Sequence, residues 1–153
     1  MMVAVRLTDM FARVFDSPRS TEERAVDWSH RSLVGVCENV TNLRRLEWLI
    51  LGHNALKAVP IAIYGMTHLR ALTLNNNAIE NLSPKIGDLK ALLSLDLRQN
   101  RLAELPFEVG LLPLRELLVT NNCLAWLPIS FESGFFDRCP SSGMWGNTYS
   151  IIR

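Results

Sequence analysis

The sequence predicts an α/β solenoid, with a curved parallel sheet on the concave face and short helical or irregular return segments on the convex face. Three observations predict it. Four asparagines, Asn54, Asn77, Asn100 and Asn122, recur at intervals of 23, 23 and 22 residues. The same apolar frame surrounds each of them. Within a unit, apolar and polar residues alternate ahead of the asparagine, and the apolar spacing widens well behind it, so a strand is joined to a different kind of segment.

The frame starts at Leu46, Leu69, Leu92 and Leu114. Column four is then Leu49, Leu72, Leu95 and Leu117, and column six is Leu51, Leu74, Leu97 and Val119. Column eleven is Leu56, Ile79, Leu102 and Leu124, column fourteen Val59, Leu82, Leu105 and Leu127, and column eighteen Ile63, Ile86, Val109 and Phe131. With the first leucine and the asparagine, 28 of 28 positions keep the pattern, which a 48% hydrophobic composition does not produce by accident.

Columns four and six define a strand with one buried face. One such strand cannot hide that face alone, so units stack at about 4.8 Å into a parallel sheet. The chain must turn back at the strand's end, and an amide offers a donor and an acceptor to the unpaired backbone there, which makes the asparagines a structural ladder. In the return segments Ile63 to Met66, Ile86 to Leu89 and Val109 to Leu112 are spaced for a short helix or irregular chain, kept short by Gly65, Gly87 and Gly110. The outer side is bulkier than the strand side, so the stack curves into a shallow arc.

The stretches LRALTLNNNAIENL and LLSLDLRQNRLAELP resemble leucine-rich repeats. The 23-residue length and the steps Val59-Pro60, Leu105-Pro106 and Leu127-Pro128 resemble the intracellular Ras-suppressor-like subgroup. That resemblance implies a cytoplasmic signalling scaffold or regulatory subunit, of the kind that serves small-GTPase or phosphatase scaffolding. A degenerate unit precedes the four, with Val26, Trp28, Leu33, Val36 and Val40 each 23 residues before a counterpart and Arg31 in the asparagine's place. Terminal units of a solenoid are atypical because one side faces solvent.

The expected organisation is an N-terminal cap helix and linker over residues 1–22, a repeat domain over 23–133 and an irregular C-terminal tail or cap over 134–153. Val3, Leu7, Met10, Phe11 and Val14 share one helical face. That helix covers the first unit or, with Arg6 and Arg13, acts as a targeting or membrane-surface helix, although Asp9 and Asp16 are unusual for a transit peptide. In the tail, Trp126, Phe135 and Phe136 fold over the last unit, or the tail is disordered, or the chain is a shortened form of a longer array. Tyr149-Ser150-Ile151-Ile152 matches a tyrosine-based sorting signal, which acts on membrane proteins.

A formal charge of +1 and no basic stripe argue against a nucleic-acid groove. The three cysteines, Cys37, Cys123 and Cys139, are odd in number and widely spaced, which suits a reduced, cytoplasmic compartment. No stretch is apolar enough for a membrane span. The sequons at Asn39 and Asn81 are chance matches in that setting.

Function is sought in columns three, five, seven and eight, the exposed inner positions of the sheet. Trp48 and Ile50 beside Ala71 and Gly52 form an anchor pocket, or else receive the N-terminal helix. Asp96, Arg98 and Glu116 form a charged cluster whose two carboxylates could in principle divide acid and base roles, but Arg98 on the same face balances them and no deep pocket desolvates them. His30 and His53 share column eight, about 5 Å apart in adjacent units, and the column continues as Asn76, Gln99 and Asn121 without a further metal ligand. His68 belongs to no constellation. The expectation is a non-enzymatic binding module, with no cofactor or metal, contacting a protein partner through Trp48, Ile50, His53, Thr73, Asn75, Asp96, Arg98, Glu116 and Leu118. The alternative is a structural subunit docking through its C-terminal edge onto an assembly or its own copy.

Overall fold

The computed structural model describes residues 24–36, 43, 45–125 and 150–152. Among the described residues six strands of three residues form one sheet in chain order: β1 (Ala25–Asp27), β2 (Trp48–Ile50), β3 (Ala71–Thr73), β4 (Ser94–Asp96), β5 (Glu116–Leu118) and β6 (Ser150–Ile152). Strands β1 to β5 are parallel, one for each repeating unit. Their register sets every column against itself, so Ala25, Trp48, Ala71, Ser94 and Glu116 stand side by side, as do Asp27, Ile50, Thr73, Asp96 and Leu118. β1 belongs to the irregular first unit and still pairs in this register.

The core follows from the pattern. Val26, Leu49, Leu72, Leu95 and Leu117 occupy the middle of β1 to β5 and point inward, and Trp28, Leu51, Leu74, Leu97 and Val119 follow them into the same core. Leu56, Ile79, Leu102 and Leu124 close each unit behind the turn. Burying a side chain of this size is worth about 1.5–3 kcal/mol, so each unit gains most of its stability from its neighbours.

The return segments are five-residue 3-10 helices at Ile61–Gly65, Pro84–Asp88 and Phe107–Leu111. Each buries the column-eighteen residue, Ile63, Ile86 or Val109. Proline at the entry fixes φ, at −57° for Pro60 and −67° for Pro106, which aims the chain into the helix. In the middle segment Ser83 Oγ accepts from Lys85 N at 3.3 Å and Pro84 starts the helix. Adjacent segments pack closely: a Cβ on Gly87 would stand 2.9 Å from Glu108 Cβ.

The asparagines form the expected ladder, and it has a direction. Asn77 Nδ2 donates to Leu51 O at 2.9 Å and to Leu74 O at 3.0 Å, while its Oδ1 accepts from Leu56 N at 3.0 Å. Asn100 repeats this with Leu74 O, Leu97 O and Ile79 N, and Asn122 with Leu97 O, Val119 O and Leu102 N. Asn54 does the same for Trp28 O, Leu51 O and Leu33 N, and also accepts from Arg31 N. Each amide therefore satisfies its own strand end and the turn of the unit before it.

Ser150–Ile152 pairs antiparallel with β5, Leu117 opposite Ile151. The free edge of β5 is thus covered by the chain's own end, a strand that no repeat pattern announces. The expected helix over residues 1–22 and the cap residues Trp126, Phe135 and Phe136 lie outside the described residues. Among the described residues no helix is long and apolar enough to cross a membrane.

Candidate functional site

A three-residue strand shows two side chains to solvent, columns three and five, and one to the core. On β2 both exposed positions are large and apolar: Trp48 is 42% exposed and Ile50 36%. The register flanks Trp48 with Ala25 and Ala71, and Ile50 with Asp27 and Thr73. Small neighbours leave the indole standing above the sheet. Thr73 and Leu118 are half-buried on the same face.

The sheet face is narrower than the sequence suggested. Strands end at column five, and columns seven and eight belong to the turn. Every column-eight residue has positive φ: 56° at His30, 55° at His53, 56° at Asn76, 55° at Gln99 and 58° at Asn121. Asparagine and histidine tolerate this left-handed conformation better than most residues. The histidines and amides of this column are therefore accounted for by backbone geometry, and His53 sits on the turn rim instead of the sheet. His30 and His53 rings stack with centroids 4.2 Å apart and planes inclined by 13°, and Asn76 Nδ2 lies 2.9 Å from His53 Nδ1. Imidazole lone pairs lie in the ring plane, so stacked rings aim them side by side and not at a shared ion. Among the described residues no group of three or more His, Cys, Asp or Glu is placed to hold a metal.

In column seven, Gly52 is buried because the Asn75 side chain lies over it; a Cβ there would collide with Asn75 Oδ1. Gly52 thus supports Asn75 and does not line an open pocket with Trp48.

Asp96 differs from expectation too, being only 7% exposed. Arg98 covers it with two side-chain bonds, Nε to Oδ1 at 3.0 Å and Nη2 to Oδ2 at 2.8 Å, and Arg98 N also donates to Oδ1 at 3.1 Å. Hydrogen bonding to Asp96 raises the Arg98 guanidinium above its ordinary value. The other carboxylate, Glu116, takes Ser94 Oγ at 2.8 Å and stands in column three, whereas Asp96 faces Leu118 in column five. The two acids therefore have separate partners, which removes the basis for a shared-proton pair. Asp27 repeats the Asp96 turn: its Oδ1 accepts from Ser29 N at 2.9 Å, and that backbone bond lowers its pKa.

A second feature lies outside the four inner columns. Column two carries Arg24, Glu47 and Arg70, and Glu47 binds Arg24 Nη1 at 3.1 Å and Arg70 Nε at 3.3 Å. With Arg45, His68 and Ala91 they line a rim pocket of about 290 Å³ at the start of the strands. Charged residues recurring at the repeat interval in column two were the available signal.

A solenoid whose parallel strands and 3-10 returns are tied by an asparagine ladder defines a repeat protein with a presented sheet face. Residues 29–79 and 44–102 match the family described as leucine rich repeat, and the chain is a leucine-rich-repeat protein. Among solved structures it resembles a leucine-rich-repeat protein of Leptospira interrogans, with 27% identity and a TM-score of 0.59 over 83% of this chain and 37% of that one. It also resembles the plant peptide hormone receptor RGFR1 in complex with RGF2, with 30% identity and a TM-score of 0.55 over 70% of this chain and 18% of the receptor. PEPR1 bound to AtPEP1 gives 28% identity and a TM-score of 0.62 over 72% and 16%. The chain thus spans little more than a third of the first of these proteins and under a fifth of RGFR1 and of PEPR1. No curated protein sequence matches it.

Proposed function

We propose that this chain is a non-enzymatic protein-interaction module that binds a protein partner on its concave sheet face, with Trp48 and Ile50 as the anchor. The observation that carries this reading is the exposure of both side chains on one strand, between small or polar neighbours. Buried aromatics dominate interface energies, and an exposed tryptophan on a rigid sheet is prepared for that role. Support comes from the leucine-rich-repeat fold and from a structural neighbour, the plant peptide hormone receptor RGFR1, whose structure is of its complex with RGF2. The 23-residue Leu-Pro repeats favour a cytoplasmic signalling scaffold as the finer reading. Docking through the C-terminal edge is disfavoured, because β6 already pairs with β5 there.

The test is affinity capture with the wild-type chain, followed by titration of the captured protein against Trp48→Ala and Ile50→Ser variants. Trp48→Ala should cost about 2 kcal/mol or more of affinity, at an unchanged unfolding midpoint. A partner that binds both variants as tightly as wild type would sink the concave-face reading. Light scattering on the isolated chain separates a hetero-partner from a second copy.

A further inference from the structure

The rim pocket stands apart from the concave anchor and does not depend on it. Its six lining residues are Arg24, Arg45, Glu47, His68, Arg70 and Ala91, contributed by three successive units at the points where β1, β2 and β3 begin. Arg24 and Arg70 both pair with the single carboxylate of Glu47, so two guanidiniums face one carboxylate at a space of about 290 Å³.

Glu47 does not exhaust its partners. Its side chain is only 15% exposed, held between Arg24 and Arg70, yet those two side chains remain 70% and 56% exposed. A guanidinium carries five N–H donors in a fixed fork. Arg24 pairs with Glu47 through Nη1 and Arg70 through Nε, which leaves the other guanidinium nitrogens of two exposed side chains that line the pocket. Glu47 thus acts as a central post that holds two cationic forks apart at the 23-residue repeat. Planar, pre-oriented guanidiniums are the side chains suited to the bidentate capture of carboxylate and phosphate.

We propose that this pocket is an oxyanion-binding site, taking a phosphate or carboxylate group between Arg24 and Arg70. The bound group sits above Glu47 and is repelled by it, so the site has modest affinity for a free ion. Arg45 and His68 also line the pocket.

The experiment is a titration of the isotope-labelled chain, followed by amide resonances, with inorganic phosphate, acetate and chloride at constant ionic strength. The amides of residues 45–48 and 68–71 should shift saturably with phosphate, with Kd on the order of millimolar, and chloride should leave them in place. Saturation by phosphate alone assigns a phosphate group, and saturation by acetate as well assigns a carboxylate. Arg70→Gln should weaken binding about tenfold; should that variant fold poorly, Arg24→Gln, at the most exposed of the ion-paired arginines, serves in its place. Glu47→Gln, which removes the competing charge, should tighten binding severalfold, a change that a purely structural ion pair would not give. Linear shifts shared with chloride, or saturation undiminished in both arginine variants, would overturn the site.

Discussion

Asn77 donates from Nδ2 to the carbonyl oxygen of Leu51, 26 residues earlier, at 2.9 Å, and so fastens its own turn to the unit before it. Because every amide of the ladder reaches backward, the effect of losing one depends on position. Asn100 is 7% exposed and serves two units. Asn100→Ala should therefore destabilise the chain by roughly 1–3 kcal/mol, seen as a lower urea midpoint. Asn54→Ala, at a part-buried amide of the same column, should cost less than loss of the buried Asn100. Equal losses at the two positions would show that burial does not set the worth of a ladder amide.

The left-handed turn gives a second prediction. Gln99 holds φ at 55° without the local hydrogen-bonding side chain that helps asparagine there. Gln99→Gly should be neutral or stabilising by up to about 1 kcal/mol, and Gln99→Val should cost about 1–2 kcal/mol. Thermal unfolding of the pair checks the order, and a more stable valine variant would refute the assignment.

The heart of the fold was legible because it is set by apolar periodicity. Leu49, Leu72 and Leu95 could face only the core, and Asn54, Asn77 and Asn100 could serve only a turn. What stayed hidden depends on lengths and contacts that no column encodes. The strands stop after three residues, which moves His53 onto the turn, and Arg98 folds back over Asp96, which buries a carboxylate expected at the surface. Ser150–Ile152 carries no repeat signature because an antiparallel edge strand needs only backbone pairing.

Gly52 and Asn75 form a coupled pair. Gly52→Ala pushes a methyl group against the Asn75 amide, which must swing away. The single change should destabilise the chain by about 1 kcal/mol, and most of that loss should vanish in the Asn75→Ala background. A double-mutant cycle with no coupling would show that the two do not pack.

The Asp27 carboxylate gives the pH prediction. Its pKa is lowered in the folded chain, chiefly by the Ser29 backbone N–H, so the folded state prefers the ionised form. The stability from this bond is present above the ordinary carboxylate range near pH 4 and fades as pH falls through the lowered folded value. Asp27→Asn keeps an acceptor without the titrating charge. The gap in stability between wild type and this variant should therefore narrow below about pH 4, and a gap constant from pH 7 to pH 3 would exclude the effect.

The edge of β5 carries the last prediction. Parallel strands β1 to β5 each satisfy their neighbour, and β5 would present unpaired backbone groups on one side without Ser150–Ile152. An uncovered edge loses ladder hydrogen bonds and offers a template for other chains. Deleting residues 150–153 should lower the melting temperature and bring concentration-dependent association, both measurable by calorimetry and light scattering. The Asn122 contacts to Leu97 and Val119 lie within the repeats and should survive, so the loss should stay well below that of Asn100→Ala. A truncated chain that melts at the wild-type temperature and stays monomeric would show that the C-terminal strand adds nothing to the stability of the edge.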